Sequence, residues 1–224
     1  MLYEVSTWVL PVLFAITLHE ASHGYVAWRL GDDTAYRMGR VTFNPLRHVD
    51  PFGTVILPAM LFMTGGILFG WAKPVPVNFR RLNRPRRDMV LVAAAGPASN
   101  LVLATVSALG FHLIPFASAT LGTWLADALG KSILINLVLA VLNMLPLPPL
   151  DGGRVAVGLL PRALAEPLAR LERWGLLILI GGLFLLPILG RQIGVDLDLF
   201  HWLIWLPVSL LWPIFAALAG IELG

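Results

Sequence analysis

The stretch "ITLHEASHGY", residues 16–25, places three ionisable side chains inside an apolar run. Residues 6–30 otherwise have the composition of a membrane helix, for which about 20 apolar residues suffice. An ionisable side chain at the centre of such a helix costs roughly 2.5–3.5 kcal/mol to insert, so it is a functional candidate by default. The stretch therefore predicts a membrane helix that carries a polar site.

The composition of the whole chain also indicates a membrane protein. Of 224 residues, 58% are hydrophobic and 13% are charged, whereas soluble domains carry about 25% charged residues. Without cysteine, disulfides and thiolate metal ligands are excluded. We predict one all-α polytopic domain over residues 1–224, with a core at about 6–160, C-terminal helices at about 172–220 and five to six membrane segments. Apolar runs lie near 6–30, 89–116, 132–148, 174–190 and 200–220, with a weaker run at 52–71.

The basic residues predict how these segments are oriented. Fourteen of the sixteen lysines and arginines fall in stretches 29–47, 71–88 and 149–173. These stretches lie on one side of the membrane only if segment 52–71 enters and leaves on that side. If the segment spans the membrane, ten lysines and arginines lie on one side and six on the other. Proline and glycine residues inside 52–71 favour a re-entrant segment. The positive-inside rule then places the three basic stretches in the cytoplasm and the N-terminus outside.

The spacing of the ionisable residues in "HEASH" indicates a metal site. His19 and His23 are separated by about 40° around a helix, so both imidazoles reach one point. In an HExxH motif the two histidines bind zinc and the glutamate, here Glu20, acts as general base on a zinc-bound water. The alternative is a polar cluster that holds helices together through hydrogen bonds. Serine, threonine or asparagine would do that at a lower insertion cost.

A catalytic zinc usually has three protein ligands, so one more is needed. The stretch "NMLPLPPLDGGR", residues 143–154, ends an apolar helix in prolines and places Asp151 before two glycines. Irregular backbone at membrane depth should face protein or a wet cavity, where a carboxylate is well placed to bind metal. Asp151 could equally cap a helix that begins at Gly152. Asp50 is a weaker rival, because its side chain could cap the segment that follows it.

Together these stretches resemble the site-2 protease family of intramembrane zinc metalloproteases. The likeness covers about residues 15–160 and extends to "GRVTFNPLRHVDPFG" (39–53), "GWAKPVPVN" (70–78) and "AAAGPASN" (93–100). The resemblance implies one Zn²⁺ per chain, bound by His19, His23 and Asp151, with Glu20 as general base. The chain is similar to compact members of the family that lack PDZ and CBS domains.

The resemblance implies further site residues and a local fold. Asn143 matches an asparagine that could hold the scissile carbonyl or the oxyanion. Gly96 and Asn100 match a GxxxN element, for which Asn100 is a second substrate or oxyanion candidate, although close helix packing is the simpler interpretation. Stretch 37–50 corresponds to a short membrane-associated β-hairpin after the first helix, consistent with the strand propensity of Val41-Thr42-Phe43.

The sequence thus predicts a zinc metalloendopeptidase for regulated intramembrane proteolysis. It would hydrolyse peptide bonds in or near transmembrane segments of a protein or peptide substrate, in a prokaryotic cell membrane and towards the cytoplasmic side. The lipid bilayer is a partner and nucleic acid is not; nothing indicates the oligomeric state. One alternative is a zinc-binding chaperone or sensor without protease activity, which would tolerate loss of Glu20. A metal transporter would need a polar path through the bilayer and internal symmetry, and the sequence shows neither.

Overall fold

The computed structural model describes residues 2–56, 60 and 73–221, and in this part of the chain the regular structure is entirely helical. Short 3₁₀ turns cover Pro45–Arg47, Phe79–Arg81 and Phe111–Phe116, and π turns cover Pro51–Ile56, Gly181–Leu185 and His201–Trp205. The all-α prediction is therefore confirmed for the described residues. The α-helices are α1 (Leu2–Arg29), α2 (Thr34–Arg37), α3 (Pro85–Gly110), α4 (Ala119–Asn143), α5 (Asp151–Leu159), α6 (Arg162–Arg170), α7 (Glu172–Ile180), α8 (Leu186–Ile193) and α9 (Leu206–Leu218).

Five helical stretches in the described residues are long and apolar enough to cross a bilayer, and they match the five strong apolar runs. The weaker segment 52–71 lies mostly outside the described residues, so its path through the membrane stays a prediction. The five stretches are Leu2–Arg29, Pro85–Phe116, Ala119–Asn143, Glu172–Ile193 and His201–Leu218.

Helices α1, α3 and α4 form the centre of the bundle. Asn100 of α3 contacts the Ala15 carbonyl of α1, and the Val92 carbonyl contacts His23, so α3 runs antiparallel to α1. Helix α4 runs parallel to α1, because Tyr3 of α1 bonds to Asp127 near the start of α4. The C-terminal ends of α1 and α4 and the N-terminal end of α3 therefore meet at one end of the bundle.

Helix α4 begins at Ala119, thirteen residues before the predicted start at 132. The prediction stopped there because Asp127 and Lys131 interrupt the apolar pattern. In the structure Lys131 Nζ lies 2.8 Å from Glu4 Oε2, and the Tyr3 hydroxyl donates to Asp127 Oδ2 at 2.7 Å. These pairings with α1 remove much of the cost of placing two charges in an apolar helix. Prolines after Met144 end the helix at Asn143.

The β-hairpin predicted over stretch 37–50 is wrong: no strand occurs there or elsewhere in the described residues. The Asn44 side chain accepts from Leu46 N–H at 3.0 Å, and Pro45 opens a 3₁₀ turn. The chain therefore coils after Phe43 instead of turning back to pair. Single hydrogen bonds take the place of a β-ladder in this stretch. One of them runs from the Arg40 guanidinium to the Lys73 carbonyl, at 2.6 Å.

The connection between α1 and α3 begins and ends at the same place. Asn83 N–H donates to the Leu30 carbonyl at 2.9 Å, so the two ends of the connection are hydrogen-bonded to each other. Asp32, which is fully buried, also accepts from Asn78 N–H at 2.6 Å. Both ends thus lie at the end of the bundle where α4 finishes, as the distribution of basic residues predicts.

Candidate metal centre

The three predicted metal ligands come together at this end of the bundle. Asp151 Oδ2 lies 3.2 Å from His19 Nε2 and 3.3 Å from His23 Nε2, and the two Nε2 atoms are 3.0 Å apart. All three residues are buried. A tetrahedral zinc with bonds of 2.0–2.1 Å holds its ligand atoms about 3.3 Å from one another. The spacing of the three atoms therefore fits a zinc ion, and the group can hold a metal.

The hydrogen bonds on the far side of each imidazole fix which nitrogen faces the site. His19 Nδ1 lies 2.6 Å from Asn100 Oδ1, and His23 Nδ1 lies 2.7 Å from the Val92 carbonyl oxygen. Both partners are acceptors, so each Nδ1 carries the proton and each Nε2 presents a lone pair to Asp151. Outer partners of this kind orient metal-binding histidines in proteins. Three lone pairs that converge in a buried site repel one another unless a cation lies between them.

The Asp151 carboxylate is oriented towards the histidines rather than towards its own helix. Helix α5 begins at Asp151, but the side chain makes no capping hydrogen bond, so the geometry does not favour the capping alternative. Oδ2 is buried without a hydrogen-bond donor. A carboxylate oxygen that has no donor and lies beside two imidazole nitrogens is well placed to bind a cation.

Two close approaches of the backbone make this arrangement possible. A Cβ on Gly96 of α3 would lie 2.6 Å from His19 Nε2 and still closer to His23 Nε2. Any side chain at position 96 would therefore fill the space between the ligand atoms. On α5, a Cβ at Gly152 or Gly153 would overlap the backbone of the proline-rich loop. The two glycines allow that loop to pack against the first turn of α5, which positions Asp151.

A cavity of about 280 Å³ adjoins the ligand cluster and contains two more of the predicted residues. The Glu20 carboxylate accepts the Val75 N–H at 2.7 Å through Oε2. Asn143 Nδ2 donates to the Leu139 carbonyl of its own helix at 3.0 Å. The cavity is lined by the three ligands together with Glu20, Asn143, Arg154 and neighbouring apolar residues.

Asn100 lies elsewhere. It is fully buried behind His19 and does not line this cavity. Its Nδ2 donates to the Ala15 carbonyl at 3.2 Å and to Asn136 Oδ1 at 2.8 Å. Both amide hydrogens are thus engaged, and the side chain faces His19 instead of the space beside Glu20. This geometry favours a role in holding His19 over the substrate or oxyanion role considered from the sequence.

Sequence reasoning missed several residues that build the site. Val75 and Val92 act through backbone atoms, for which a side-chain pattern carries no signal. Gly96 was visible only as half of the GxxxN element, with helix packing as its interpretation. Asn136 had a signal, because it is a polar residue within the apolar helix α4, but nothing in its spacing connected it to His19.

Comparison with known proteins finds one peptidase family and relatives that are named putative zinc metalloproteases. The profile of Peptidase family M50 matches residues 112–187, which include Asn143 and Asp151 but not the "HEASH" stretch. "Putative zinc metalloprotease YwhC" of Bacillus subtilis (strain 168) is 40% identical over 187 residues, which is 80% of either chain. "Putative zinc metalloprotease Rip2" of Mycolicibacterium smegmatis (strain ATCC 700084 / mc(2)155) is 36% identical over 182 residues, covering 80% of this chain and 66% of the relative. No solved structure matches the chain.

Proposed function

The chain belongs to peptidase family M50, the site-2 protease family, and we propose that it is an intramembrane zinc metalloprotease that cleaves membrane-embedded segments of other proteins. The observation that carries this proposal is the convergence of three lone-pair donors, His19, His23 and Asp151, beside the Glu20 carboxylate. A zinc-binding chaperone or sensor would need the three ligands, but it would have no use for a carboxylate held next to them. One zinc ion per chain accounts for all three donors.

Each residue at the site then has a part in peptide hydrolysis. A zinc ion held by His19, His23 and Asp151 would polarise the scissile carbonyl and lower the pKa of a water molecule to about 7. Glu20 takes a proton from the attacking water and returns it to the leaving amine. The Val75 N–H fixes Glu20 through Oε2, while the other carboxylate oxygen has no hydrogen bond within the described chain. Asn143 has a second amide hydrogen that can donate to the oxyanion.

The depth of the site indicates the kind of substrate. His23 and His19 precede Arg29, at the end of α1, by about 9 and 15 Å along the helix axis. The carbonyl groups of a substrate helix are hydrogen-bonded within that helix, so it has to unwind before a peptide bond can be attacked. The unwound segment then binds in extended form below the membrane surface. Such a substrate is a transmembrane protein or peptide in the same bilayer.

The arginine-rich end of the bundle sets the side from which water and substrate ends approach. Residues 30 and 83, at the two ends of the connection between α1 and α3, lie at this end together with the C-terminal ends of α1 and α4. By the positive-inside rule it faces the cytoplasm of a cell membrane. The protein thus acts as a single integral-membrane domain with its site open to the cytoplasmic side.

The change Glu20→Gln tests this function. It removes the general base but no metal ligand, so zinc content should stay at one per chain while cleavage falls by at least about a hundredfold, in line with the loss of general-base catalysis. The purified full chain is reconstituted with a pool of single-span membrane peptides, fragments are identified by mass spectrometry, and zinc is measured by elemental analysis.

Glu166→Gln is the matched control, because Glu166 is exposed on α6 and lies outside the cavity. It should leave both the fragments and the zinc content as in the unaltered protein. Equal cleavage by the Glu20→Gln variant would contradict the mechanism. Zinc binding without any fragment from the unaltered protein would favour the non-proteolytic alternative.

A further inference from the structure

A buried chain of hydrogen bonds runs from His19 across three helices. His19 Nδ1 of α1 bonds to Asn100 Oδ1 of α3 at 2.6 Å, and Asn100 Nδ2 bonds to Asn136 Oδ1 of α4 at 2.8 Å. Asn136 Nδ2 in turn donates to the Ser132 carbonyl at 2.8 Å. Asn100 is fully buried and Asn136 is 1% exposed. Water therefore does not compete for these bonds.

The direction of every bond in this chain is determined by backbone acceptors. The Ser132 carbonyl can only accept, so Asn136 presents its amide N–H to Ser132 and its oxygen to Asn100. The Ala15 carbonyl likewise receives Asn100 Nδ2, which turns Asn100 Oδ1 towards His19. An oxygen in this place requires a proton on His19 Nδ1 and leaves the lone pair on Nε2, the atom that faces Asp151.

The two histidines depend on this chain to different extents. His23 Nδ1 donates directly to the Val92 carbonyl, a backbone acceptor that cannot turn. His19 depends instead on an amide side chain, which could rotate by half a turn and offer N–H where oxygen is required. The two hydrogens on Asn100 Nδ2 need two acceptors. One is the Ala15 carbonyl, and the other is Asn136 Oδ1, the only side-chain acceptor for this group among the described residues.

We propose that Asn136 is a positioning residue for the metal centre, which acts through Asn100 to fix the tautomer and orientation of His19. The proposal rests on the metal-dependent function proposed above. Asn136 touches neither the ligand atoms nor the cavity, so its effect is on metal affinity through His19 and not on the reacting groups. Loss of such an outer partner typically weakens metal binding by about 10–100-fold.

Three variants of the full-length protein in detergent test the proposal. Asn136→Leu has a similar size and no acceptor. Asn136→Asp, in its neutral form, keeps an oxygen for Asn100 and an O–H for the Ser132 carbonyl. Ser107→Ala is the matched control, since it removes another bond between α3 and α4, the 2.7 Å contact with Ser132 Oγ, but leaves in place the Ser132 carbonyl that accepts from Asn136 and every bond of Asn100. Zinc affinity is measured by chelator competition, and ligand geometry by the visible spectrum of the cobalt-loaded protein.

We expect N136L to bind zinc at least about tenfold more weakly and to alter the cobalt spectrum, with N136D and S107A within about threefold of the unaltered protein. Unchanged affinity in N136L would overturn the proposal. So would an equal loss in S107A or N136D, because it would show that any disturbance between α3 and α4 has the same effect. If the unaltered protein binds no zinc, the proposed function fails first, and that outcome is distinct from either of these.

A measurement on the unaltered protein covers the case in which N136L does not fold. In ¹⁵N spectra of the metal-free protein at alkaline pH, the hydrogen-bond chain requires His19 to carry its proton on Nδ1. A neutral His19 protonated on Nε2 instead would show that Asn100 does not present its oxygen and would overturn the proposal.

Discussion

At the scale of single residues, the site depends as much on a missing side chain as on the side chains present. His19 and His23 project from α1 towards Asp151, and α3 crosses them at Gly96. Their own spacing in the sequence indicates that the two imidazoles can meet. It does not indicate that a neighbouring helix must lack a Cβ where they meet, because that requirement arises only from the packing of α3 on α1.

The change Gly96→Ala tests this requirement. Alanine favours a helix interior over glycine by about 1 kcal/mol, so α3 itself should not be weakened. The added methyl group would lie 2.6 Å from His19 Nε2, which forces at least one imidazole away from the common point. We expect the zinc content of the purified protein to fall at least about tenfold while its helical circular dichroism is retained.

Gly130→Ala is the control for this change, since Gly130 is also within a helix and a Cβ there meets only Phe111 at 4.0 Å. Its zinc content should equal that of the unaltered protein. Full zinc binding by the Gly96→Ala variant would show that the imidazoles reach the metal from another direction.

At the scale of elements, apolar runs were enough to predict the membrane helices but not where α4 begins or how stretch 37–50 folds. Lys131 and Asp127 are expensive in an apolar helix until α1 is packed beside them, and Glu4 and Tyr3 are more than a hundred residues away in the chain. Val41-Thr42-Phe43 has strand propensity, but a strand also needs a partner strand. The hydrogen bond from Leu46 N–H to the Asn44 side chain starts a 3₁₀ turn there instead. Both errors come from interactions that local patterns do not contain.

Glu4 and Lys131 form an ion pair, and changing one or the other should lower the stability of the fold by different amounts. Glu4 is 65% exposed and can remain solvated alone, whereas the Lys131 side chain is only 18% exposed and lies within a membrane helix. Glu4→Gln should therefore destabilise the fold by about 1 kcal/mol, because it leaves the Lys131 charge with only the Thr7 hydroxyl and the Trp8 ring as partners in the described chain. Lys131→Met should destabilise it by much less, because it removes that charge.

Thermal or detergent-induced unfolding followed by circular dichroism measures both variants. The double variant should resemble Lys131→Met, since removing the lysine removes the reason for a partner. Equal costs for the two single changes would mean that the attraction between the charges outweighs the burial of Lys131.

At the scale of the whole molecule, the bundle has one basic end, and it is the end that holds the site. Helices α1 and α4 are parallel and finish there, and the hydrogen bond between residues 30 and 83 holds both ends of the connection between α1 and α3 at the same place. The sequence could predict this sidedness from its arginines, but two arrangements remained open. Convergence of His19, His23 and Asp151 agrees with the one in which the three basic stretches share a side.

Cysteine labelling tests this orientation in cells, and the chain suits the method because it contains no cysteine of its own. Single cysteines are placed at Met38 and Glu166, which are exposed at the basic end, and at Ser118 and Asp196, which are exposed beyond the opposite ends of the spanning helices. A maleimide that cannot cross membranes should label positions 118 and 196 in intact cells, and positions 38 and 166 only after permeabilisation. Labelling of 38 and 166 from opposite sides would mean that the connection between α1 and α3 crosses the bilayer once. The ends of α1 and α4 would then face opposite sides, and the three donors could not form one metal site.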